Sequence, residues 1–402
     1  MKFLRAKGAN IVDGKGNTVS LRGLNLGGWL MMEGYFMHAP NFAEQLFKRS
    51  FAKALGDKAL SEFENAFRGS FITEKDFKRV MELGCNSIRL PIDYRIVETK
   101  PGVFKGNEVR YIDSAINWAK KYGMSVILDL HAAPGAQNHD WHSNSLGKAG
   151  LWNNKSYQNR TYAIWEYLAD RYRDETAIAG YDLLNEAVTD DIKLLNDFYK
   201  NTIKAVRRAD KNHILFIEGN KWATNIECLD RFDDDNYALS IHNYEPLQFT
   251  FNLTPGLKYP LKDKNHFWDK DVTKRHLAKF KAISDQRKLH IYVGEFGVHY
   301  RDGHYNEHIW LKDVLKEFNS LGFSWSYWTF KAIKNFCFPD GVYSYYENSP
   351  WVNRQGPKSG WETYSAIWIK HKEEIISSWD TGNFTLNQLI AEAIKNGIQD
   401  NN

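Results

Sequence analysis

Cysteine is scarce in this sequence, and its spacing excludes a familiar class of metal site. The three cysteines, Cys85, Cys228 and Cys337, lie far apart among 402 residues and match no ligand spacing such as Cys-x-x-Cys. An odd and sparse set of cysteines is typical of buried free thiols in a reducing compartment. We therefore expect free thiols and no cysteine-bound metal.

Long apolar runs are also missing. No window approaches 18 uninterrupted apolar residues, which excludes a membrane-spanning helix. The N-terminus, Met1 to Lys7, carries basic residues but no apolar stretch after them, so no signal peptide is visible. The sequence predicts a cytoplasmic protein, or a secreted one if a leader has been removed.

The chain has only a small excess of positive charge. Aromatic residues, in contrast, are abundant. The formal net charge of +4 predicts no nucleic-acid or membrane partner for a chain of this size. The sequence has 14 Trp, 21 Tyr and 24 Phe, which together make 15% of its residues. Flat rings with N–H and O–H groups suit a sugar-binding cleft, because they stack on pyranose faces and bond hydroxyls.

Short apolar runs alternate with amphipathic stretches, as in β/α units on a parallel sheet. No glycine-rich phosphate-binding turn follows an early strand, which disfavours an open doubly wound sheet. We therefore expect a (β/α)8 TIM barrel. The predicted strands are 19–27, 86–94, 125–131, 178–186, 214–219, 238–244, 291–296 and 323–330. The predicted helices include one that starts at Thr73 and ends before Gly84, and others at 109–122, 162–172, 194–207, 272–283 and 309–321.

The composition shows no break, so residues 1–402 are predicted to form a single domain. Its barrel core would run from about 8 to 375 and would begin with a β-hairpin that pairs 9–12 with 18–21, and a helical extension would follow over 376–402. Three connections, 32–71, 246–268 and 332–361, are longer than a barrel needs, and such loops shape the active site. The last loop holds a predicted aromatic wall of Tyr343, Tyr345, Tyr346 and Trp351.

Polar residues stand at the ends of the predicted strands, which meet at one mouth of a barrel. Two of them, Glu186 and Glu295, end the fourth and seventh strands. Glycoside cleavage needs one carboxylic acid and one carboxylate flanking the scissile bond, about 5 Å apart in a retaining enzyme. The whole set is Asn25, Arg89, His131, Asn185, Glu186, His242, Tyr244, Glu295 and Trp328.

Three motifs in their barrel order resemble glycoside hydrolase family 5: Ile-Arg-Leu-Pro at 88–91, Asn-Glu at 185–186 and Gly-Glu-Phe-Gly at 294–297. LRGLNLGGW at 21–29 and DLHAAPGAQN at 129–138 are similar to its exo-β-1,3-glucanase branch. The resemblance covers about residues 8–375. It implies a retaining hydrolase of β-linked glucan oligosaccharides or polysaccharides, exo-acting, with a carbohydrate as its partner, no cofactor and no metal.

The resemblance also implies individual roles. Glu186 would be the acid/base, with its affinity for a proton raised by a dry site and a nearby anion, and Glu295 the nucleophile. The remaining implied roles are Arg89 and Tyr244 on the nucleophile, His242 near the acid/base, His131 beside Arg89, Asn185 on the sugar 2-hydroxyl and Trp328 as the floor of the site. Trp29, Glu33 and Asp140 would line the terminal-sugar site, although Asp140 lies one position away from the branch's acidic residue.

Other readings stay open at this point. A β-mannanase, a β-mannosidase or an endo-β-1,4-glucanase would use the same scaffold, and transglycosylation would use the same residues. A metal-dependent barrel hydrolase would need a close histidine pair on the first strand, which Asn25-Leu26-Gly27 does not supply. A carbohydrate-binding barrel without catalysis would not need both glutamates. The sequence does not predict an oligomer, and a monomer suffices for these roles.

Overall fold

The computed structural model describes residues 1–37, 40–104, 106–262, 265, 267–345 and 363–399. Within these residues, eight parallel strands close into a barrel in which the last strand pairs with the first. This confirms the predicted (β/α)8 architecture. The barrel strands are β1 (Arg22–Asn25), β2 (Ser87–Asp93), β3 (Ser125–Ala132), β4 (Ile178–Asp182), β5 (Ile214–Glu218), β6 (Tyr237–His242), β7 (Ile291–Glu295) and β8 (Ser324–Tyr327).

Every barrel strand is buried along its whole length, which explains why the strands appear in the sequence as apolar runs. All eight predicted strands are present, and most are shorter than predicted. The fourth shows the reason: it ends at Asp182, and Glu186 has a φ of 49° that a strand cannot accommodate. Glu186 therefore lies in the loop after β4.

Helices cover the outside of the barrel. The predicted helix start at Thr73 is confirmed by a capping box, in which the Thr73 backbone N–H bonds the Asp76 carboxylate. The main helices are α1 (Glu44–Leu55), α2 (Asp57–Ser70), α3 (Glu74–Glu82), α4 (Val109–Lys121), α5 (Lys155–Tyr172), α6 (Ile192–Ala209), α7 (Lys270–Arg287), α8 (Glu307–Ser320), α9 (Tyr364–Ser378) and α10 (Gln388–Gln399). Among the described helices, none combines the length and the apolar character needed to cross a membrane.

The ends of the chain differ from their predicted form. The N-terminal hairpin joins Arg5–Lys7 to Asn10–Val12, earlier than the expected pairing of 9–12 with 18–21, which survives only as a single bridge between Val12 and Thr18. The predicted boundary at 376 falls inside α9, which packs on α1 and α2, while α10 packs on α8. The three cysteines are free, as expected.

Candidate active site

Glu295, the predicted nucleophile, is the last residue of β7 and has both carboxylate oxygens in hydrogen bonds. Arg89 donates from Nη1 to Oε1 at 2.7 Å, and the Tyr244 hydroxyl donates to Oε2 at 2.8 Å. The residue is 4% exposed, so it opens to the cleft through a small area. Two donors on opposite oxygens fix the orientation of the carboxylate.

Arg89 lies fully buried on β2, below the barrel mouth, and its guanidinium faces four carboxylates and two amide oxygens. A planar fork of N–H donors can satisfy this many acceptors, which an ammonium group cannot. The partners are Glu295 (Nη1, 2.7 Å), Asp182 (Nε, 3.0 Å), Glu218 (Nη2, 3.1 Å), Asp129 (Nη2, 3.1 Å), Asn185 (Nη2, 2.9 Å) and Asn25 (Nη1, 3.2 Å).

Asp129, Asp182 and Glu218 form an acidic layer that the predicted site did not include. One oxygen of each lies within 4.8 Å of the others, and the guanidinium of Arg89 supplies the positive charge between them. Burial, followed by the charge of Glu218, raises the pKa of Asp182 well above its ordinary value. In the sequence, such residues can be recognised as charged residues inside otherwise apolar strands. The prediction above took its site residues from the strand ends and therefore missed them.

Glu186, the predicted acid/base, is held by its backbone and by its side chain. Its N–H donates to Glu218 Oε2 at 2.6 Å, and its carbonyl accepts from Asn138 Nδ2 at 2.9 Å. On the side chain, His242 Nδ1 lies 2.8 Å from Oε1 and His142 Nδ1 lies 3.4 Å from Oε2. Each carboxylate oxygen therefore faces its own imidazole, and His142 was not among the predicted site residues.

The expected rise in the proton affinity of Glu186 is wrong for the free enzyme. Burial raises the pKa of Glu186, but the positive charges of His142, His242 and His131 lower it more, and the result is about 2. The dry site is present, but cations rather than anions dominate around this carboxyl. The cationic imidazoles therefore stabilise the ionised form of Glu186 in the free enzyme.

The two glutamates meet across the mouth of the barrel. One oxygen of Glu186, one oxygen of Glu295 and one ring nitrogen of His242 all lie within 4.8 Å of one another. His242 also lies 3.2 Å from Glu218 through Nε2, so it links the acidic layer to the two carboxylates. The sequence prediction of two remote glutamates at one rim is confirmed.

Trp328, His131 and Tyr35 form one end of the cleft together with Glu33. The Trp328 ring stacks on the His131 ring with centroids 5.4 Å apart, and its indole N–H donates to the Tyr35 hydroxyl at 2.5 Å. Asp129 Oδ2 lies 2.7 Å from His131 Nδ1 and 3.1 Å from Arg89, so it joins these two residues. These contacts place His131 beside Arg89, as the resemblance implied.

Glu33 Oε1 and Asn185 Nδ2 are among the buried polar atoms that have no hydrogen-bond partner within the described part of the chain. The nearest cationic group to Glu33 Oε1 is His131, whose Nε2 lies 3.6 Å away. Glu33 is 3% exposed and lines the cleft, and burial is the main reason why its pKa is raised. Because a buried polar atom without a partner costs about 1–3 kcal/mol, such atoms are expected where a ligand supplies the missing bond.

Asp140 lines the cleft, but its carboxylate is already engaged. Its Oδ2 accepts from Trp222 Nε1 at 2.8 Å and lies 3.6 Å from His142 Nε2. The nearby imidazole of His142 is the main reason why the pKa of Asp140 is lowered. Its predicted contact with the terminal sugar stays a prediction.

Trp29 is the predicted site residue that the structure places elsewhere. Its side chain is fully buried, stacks on Trp118 and donates to the carbonyl of Arg68 at 2.8 Å. The chain turns after Gly28, whose φ is 75°, and this turn directs the indole into the layer between barrel and helices. Trp29 therefore has a packing role.

The predicted aromatic wall is also wrong for its described residues. Tyr343 packs on Phe330 and Tyr345 on Phe384, because the strand Tyr343–Tyr345 pairs with Lys331–Ile333 beside the barrel. Tyr346 and Trp351 lie outside the described residues. The aromatic residues that do line the cleft are Tyr35, Trp141, Trp222, Tyr244, Phe251, Phe280, Trp328 and Phe338.

A cavity of about 650 Å³ is lined by both glutamates. The sequence pattern of the Cellulase family (glycosyl hydrolase family 5) matches residues 52–333. The chain belongs to glycosyl hydrolase family 5. As a member of that family it is an O-glycosyl hydrolase, and a carbohydrate is its substrate class.

Several relatives of this family 5 chain have described activities. A β-xylosidase of Phanerodontia chrysosporium is 34% identical over 351 residues, which are 83% of this chain and 71% of that protein. Endoglucanase C of Acetivibrio thermocellus is 29% identical over 294 residues (64% and 84%), and a glucan 1,3-β-glucosidase of Blumeria graminis is 32% identical over 220 residues (51% of each). An endoglucanase structure from Thermotoga maritima covers 93% of this chain and 96% of its own with a TM-score of 0.64 at 22% identity, a likeness of fold.

Proposed function

We propose that this family 5 enzyme is a retaining β-glycosidase with Glu295 as nucleophile and Glu186 as acid/base. The observation that carries the proposal is the distance of no more than 4.8 Å between an oxygen of each carboxylate. Inverting glycosidases separate these groups by about 6.5–9.5 Å to admit water, whereas retaining ones place them about 5–5.5 Å apart. The distance here fits direct attack on the sugar.

The surrounding contacts fit the two roles. Arg89 and Tyr244 hold the Glu295 carboxylate toward the anomeric carbon, where it forms a glycosyl ester as the leaving oxygen takes a proton from Glu186. Water then attacks the ester carbon while Glu186 accepts the water's proton. The buried mouth raises the strength of each of these electrostatic contacts.

The substrate we propose is a terminal β-linked sugar with equatorial hydroxyls, as in β-glucosides. Asn185 Nδ2 and Glu33 Oε1 offer one donor and one acceptor to such hydroxyls, and Trp328 offers a ring face. A β-xyloside presents the same hydroxyls at C2, C3 and C4. The names of the relatives, a β-xylosidase and a glucan 1,3-β-glucosidase, agree with this class.

We also propose exo action, because aromatic rings from three loops meet at the Glu33 end of the cleft. Tyr35 follows β1, Trp141 follows β3 and Phe338 follows β8, and their centroids lie 5.3–5.9 Å apart in all three pairs. Such mutual contacts leave a pocket for a chain end instead of an open groove.

The test of the mechanism is the configuration of the first product. We expect proton NMR of an aryl β-glucoside reaction to show the β-hemiacetal first, with the α-anomer appearing only at the rate of mutarotation. The same assay with an aryl β-xyloside and an aryl β-mannoside measures sugar preference. A first product of α-configuration would overturn the retaining assignment.

The exo assignment predicts an effect of opening the closed end. In the double variant Trp141→Ala, Phe338→Ala we expect oligosaccharide products from β-glucans, whereas the wild type releases monosaccharide. Removing the rings frees space for a second sugar beyond the terminal one. The measurement is chromatography of early products from β-1,3-, β-1,4- and β-1,6-linked glucans and from a mannan.

The matched control is Phe336→Ala, which lies on the same loop as Phe338 and is 73% exposed. It should keep the monosaccharide pattern. Release of mixed oligosaccharides by the wild type itself would replace the exo assignment with an endoglucanase or a mannanase.

A further inference from the structure

Glu186, the proposed acid/base, has two imidazole neighbours, and the mechanism above assigns no function to the second of them, His142. His242 faces Oε1 of Glu186 from the barrel interior, and His142 faces Oε2 from the loop after β3. The side chain of His142 is 15% exposed and that of His242 is 1% exposed. Of the two, His142 is therefore the imidazole at the edge of the cleft.

The position of His142 beside Glu186 is set by hydrogen bonds that join the loop after β3 to the loop after β4. Asn138 donates to the Glu186 carbonyl at 2.9 Å, and Gln137 donates to the Asn185 carbonyl at 2.8 Å, so the loop after β3 is bonded to the loop after β4. The turn that carries His142 is closed by the Ser143 hydroxyl, which donates to the Asp140 carbonyl at 2.9 Å. These bonds make the pairing of His142 with Glu186 a built feature of the two loops.

A carboxylate also stands behind His142. Asp140 Oδ2 lies 3.6 Å from His142 Nε2, and the Trp222 indole fixes that same oxygen from the other side at 2.8 Å. His142 therefore lies between two carboxylates, Asp140 and Glu186. An imidazole in this position is stabilised with a proton on each nitrogen.

The charged groups around His142 come from four elements. Glu186 lies on the loop after β4, Asp140 on its own loop, Glu33 on the loop after β1 and His131 at the end of β3. Burial lowers the pKa of His142, as does His131, but the three carboxylates raise it more, and the net shift is upward from 6.5. The imidazole of His142 therefore holds its proton more strongly than a free histidine does.

We propose that His142, aligned by Asp140, holds the proton that Glu186 delivers to the leaving group. The proposal rests on the acid/base role of Glu186 proposed above. The separation of 3.4 Å between His142 Nδ1 and Glu186 Oε2 is a few tenths of an ångström longer than a hydrogen bond. Such contacts commonly tighten when substrate closes the site.

The proton balance of the cycle is complete with this pair. In the first step the proton moves from His142 Nδ1 to Glu186, and from Glu186 to the glycosidic oxygen, as the bond to the anomeric carbon breaks and the Glu295 ester forms. His142 is then neutral and Glu186 ionised. In the second step water attacks the ester carbon, Glu186 takes the water's proton, and His142 receives it back as the ester bond breaks.

The test is the alkaline limb of the kcat/KM profile in the variant His142→Asn. A coupled pair loses its proton at a pH that belongs to the pair, so the wild-type limb should lie above pH 6.5. In His142→Asn the proton can be held only by Glu186, whose protonated form is disfavoured by the neighbouring cationic His242. We expect the limb to move about 1–3 units toward lower pH, which costs about tenfold in kcat/KM per unit at neutral pH.

The matched control is His139→Asn on the same loop. His139 lies 3.7 Å from Asp140 but its side chain is 56% exposed, and we expect its replacement to leave the limb in place. A second variant, Asp140→Asn, should move the limb in the same direction as His142→Asn by a smaller amount. It keeps the proposal testable if His142→Asn folds poorly.

Two outcomes would overturn the proposal. One is an unmoved limb in both His142→Asn and Asp140→Asn, which would leave His142 a purely structural contact. The other is an equal movement in His139→Asn, which would indicate a general charge effect. The variant Glu186→Ala tests the acid/base assignment separately. If Glu186 is the acid/base, this variant should lose far more activity on substrates with poor leaving groups than on substrates with good ones.

Discussion

Replacing Glu295 with alanine is expected to lower turnover of every substrate by on the order of 10⁵–10⁶-fold, as removal of other catalytic nucleophiles does. The reason is geometric, since Arg89 and Tyr244 hold this carboxylate in place for attack. Azide should restore part of the activity of the alanine variant, because the deleted side chain leaves room for a small anion. The expected product is a glycosyl azide of inverted anomeric configuration.

Glu295→Gln is the matched control for this result. Glutamine keeps the volume of the side chain while removing its nucleophilic oxygen, so we expect an inactive enzyme that azide does not rescue. An azide product of retained configuration from Glu295→Ala, or activity within about tenfold of the wild type, would contradict the assignment of the nucleophile.

Replacing Arg89 with methionine is expected to reduce the free energy of unfolding by about 3–5 kcal/mol, because it leaves a buried charge cluster without its cation. Asp129, Asp182, Glu218 and Glu295 all contact the guanidinium, and Arg89 itself has no exposed surface. Activity should fall as well, since the carboxylate of Glu295 loses one of its two donors. Urea unfolding followed by circular dichroism measures the stability.

The destabilisation of Arg89→Met should depend on pH with a defined sign. In the folded variant, burial and mutual repulsion raise the carboxyl pKa values above those of the unfolded chain, in the direction already seen for Asp182. The folded state then binds more protons than the unfolded state, and the free energy of unfolding falls as pH rises through those values. The loss should therefore be larger at pH 7.5 than at pH 5.

Arg89→Lys is the control that separates charge from geometry. It restores one positive charge but not the planar fork, so stability should recover in part and activity to a lesser extent. Equal stability of wild type and Arg89→Met at both pH values would show that the acidic layer does not depend on this cation.

Much of this architecture could be predicted because parallel strands bring their carboxyl ends to one edge. The apolar runs identified all eight strands, and polar residues on these strands, such as Arg89, His131 and Glu295, do lie close together. Periodicity also located the helices from α3 to α8. These features depend on local pattern and on a simple rule of topology.

Features that depend on long-range contacts were not predictable in this way. Asp129 and Asp182 lie within strands, where only the tertiary structure shows that they face Arg89. Trp29 resembles a site residue in sequence, but the turn after Gly28 directs it into the core. The role of His142 depends on how two loops are bonded together, which no single segment encodes.

The contacts among Tyr35, Trp141 and Phe338 have a consequence for how a polymer would be degraded. With the exo action proposed above, a polysaccharide chain could not pass through this end of the cleft, so after each cleavage the released sugar and the shortened chain would both leave through the entrance used for binding. The enzyme would dissociate after every event instead of advancing along its substrate. Its rate on a fixed mass of glucan would then follow the number of chain termini, and would fall as the chains become longer.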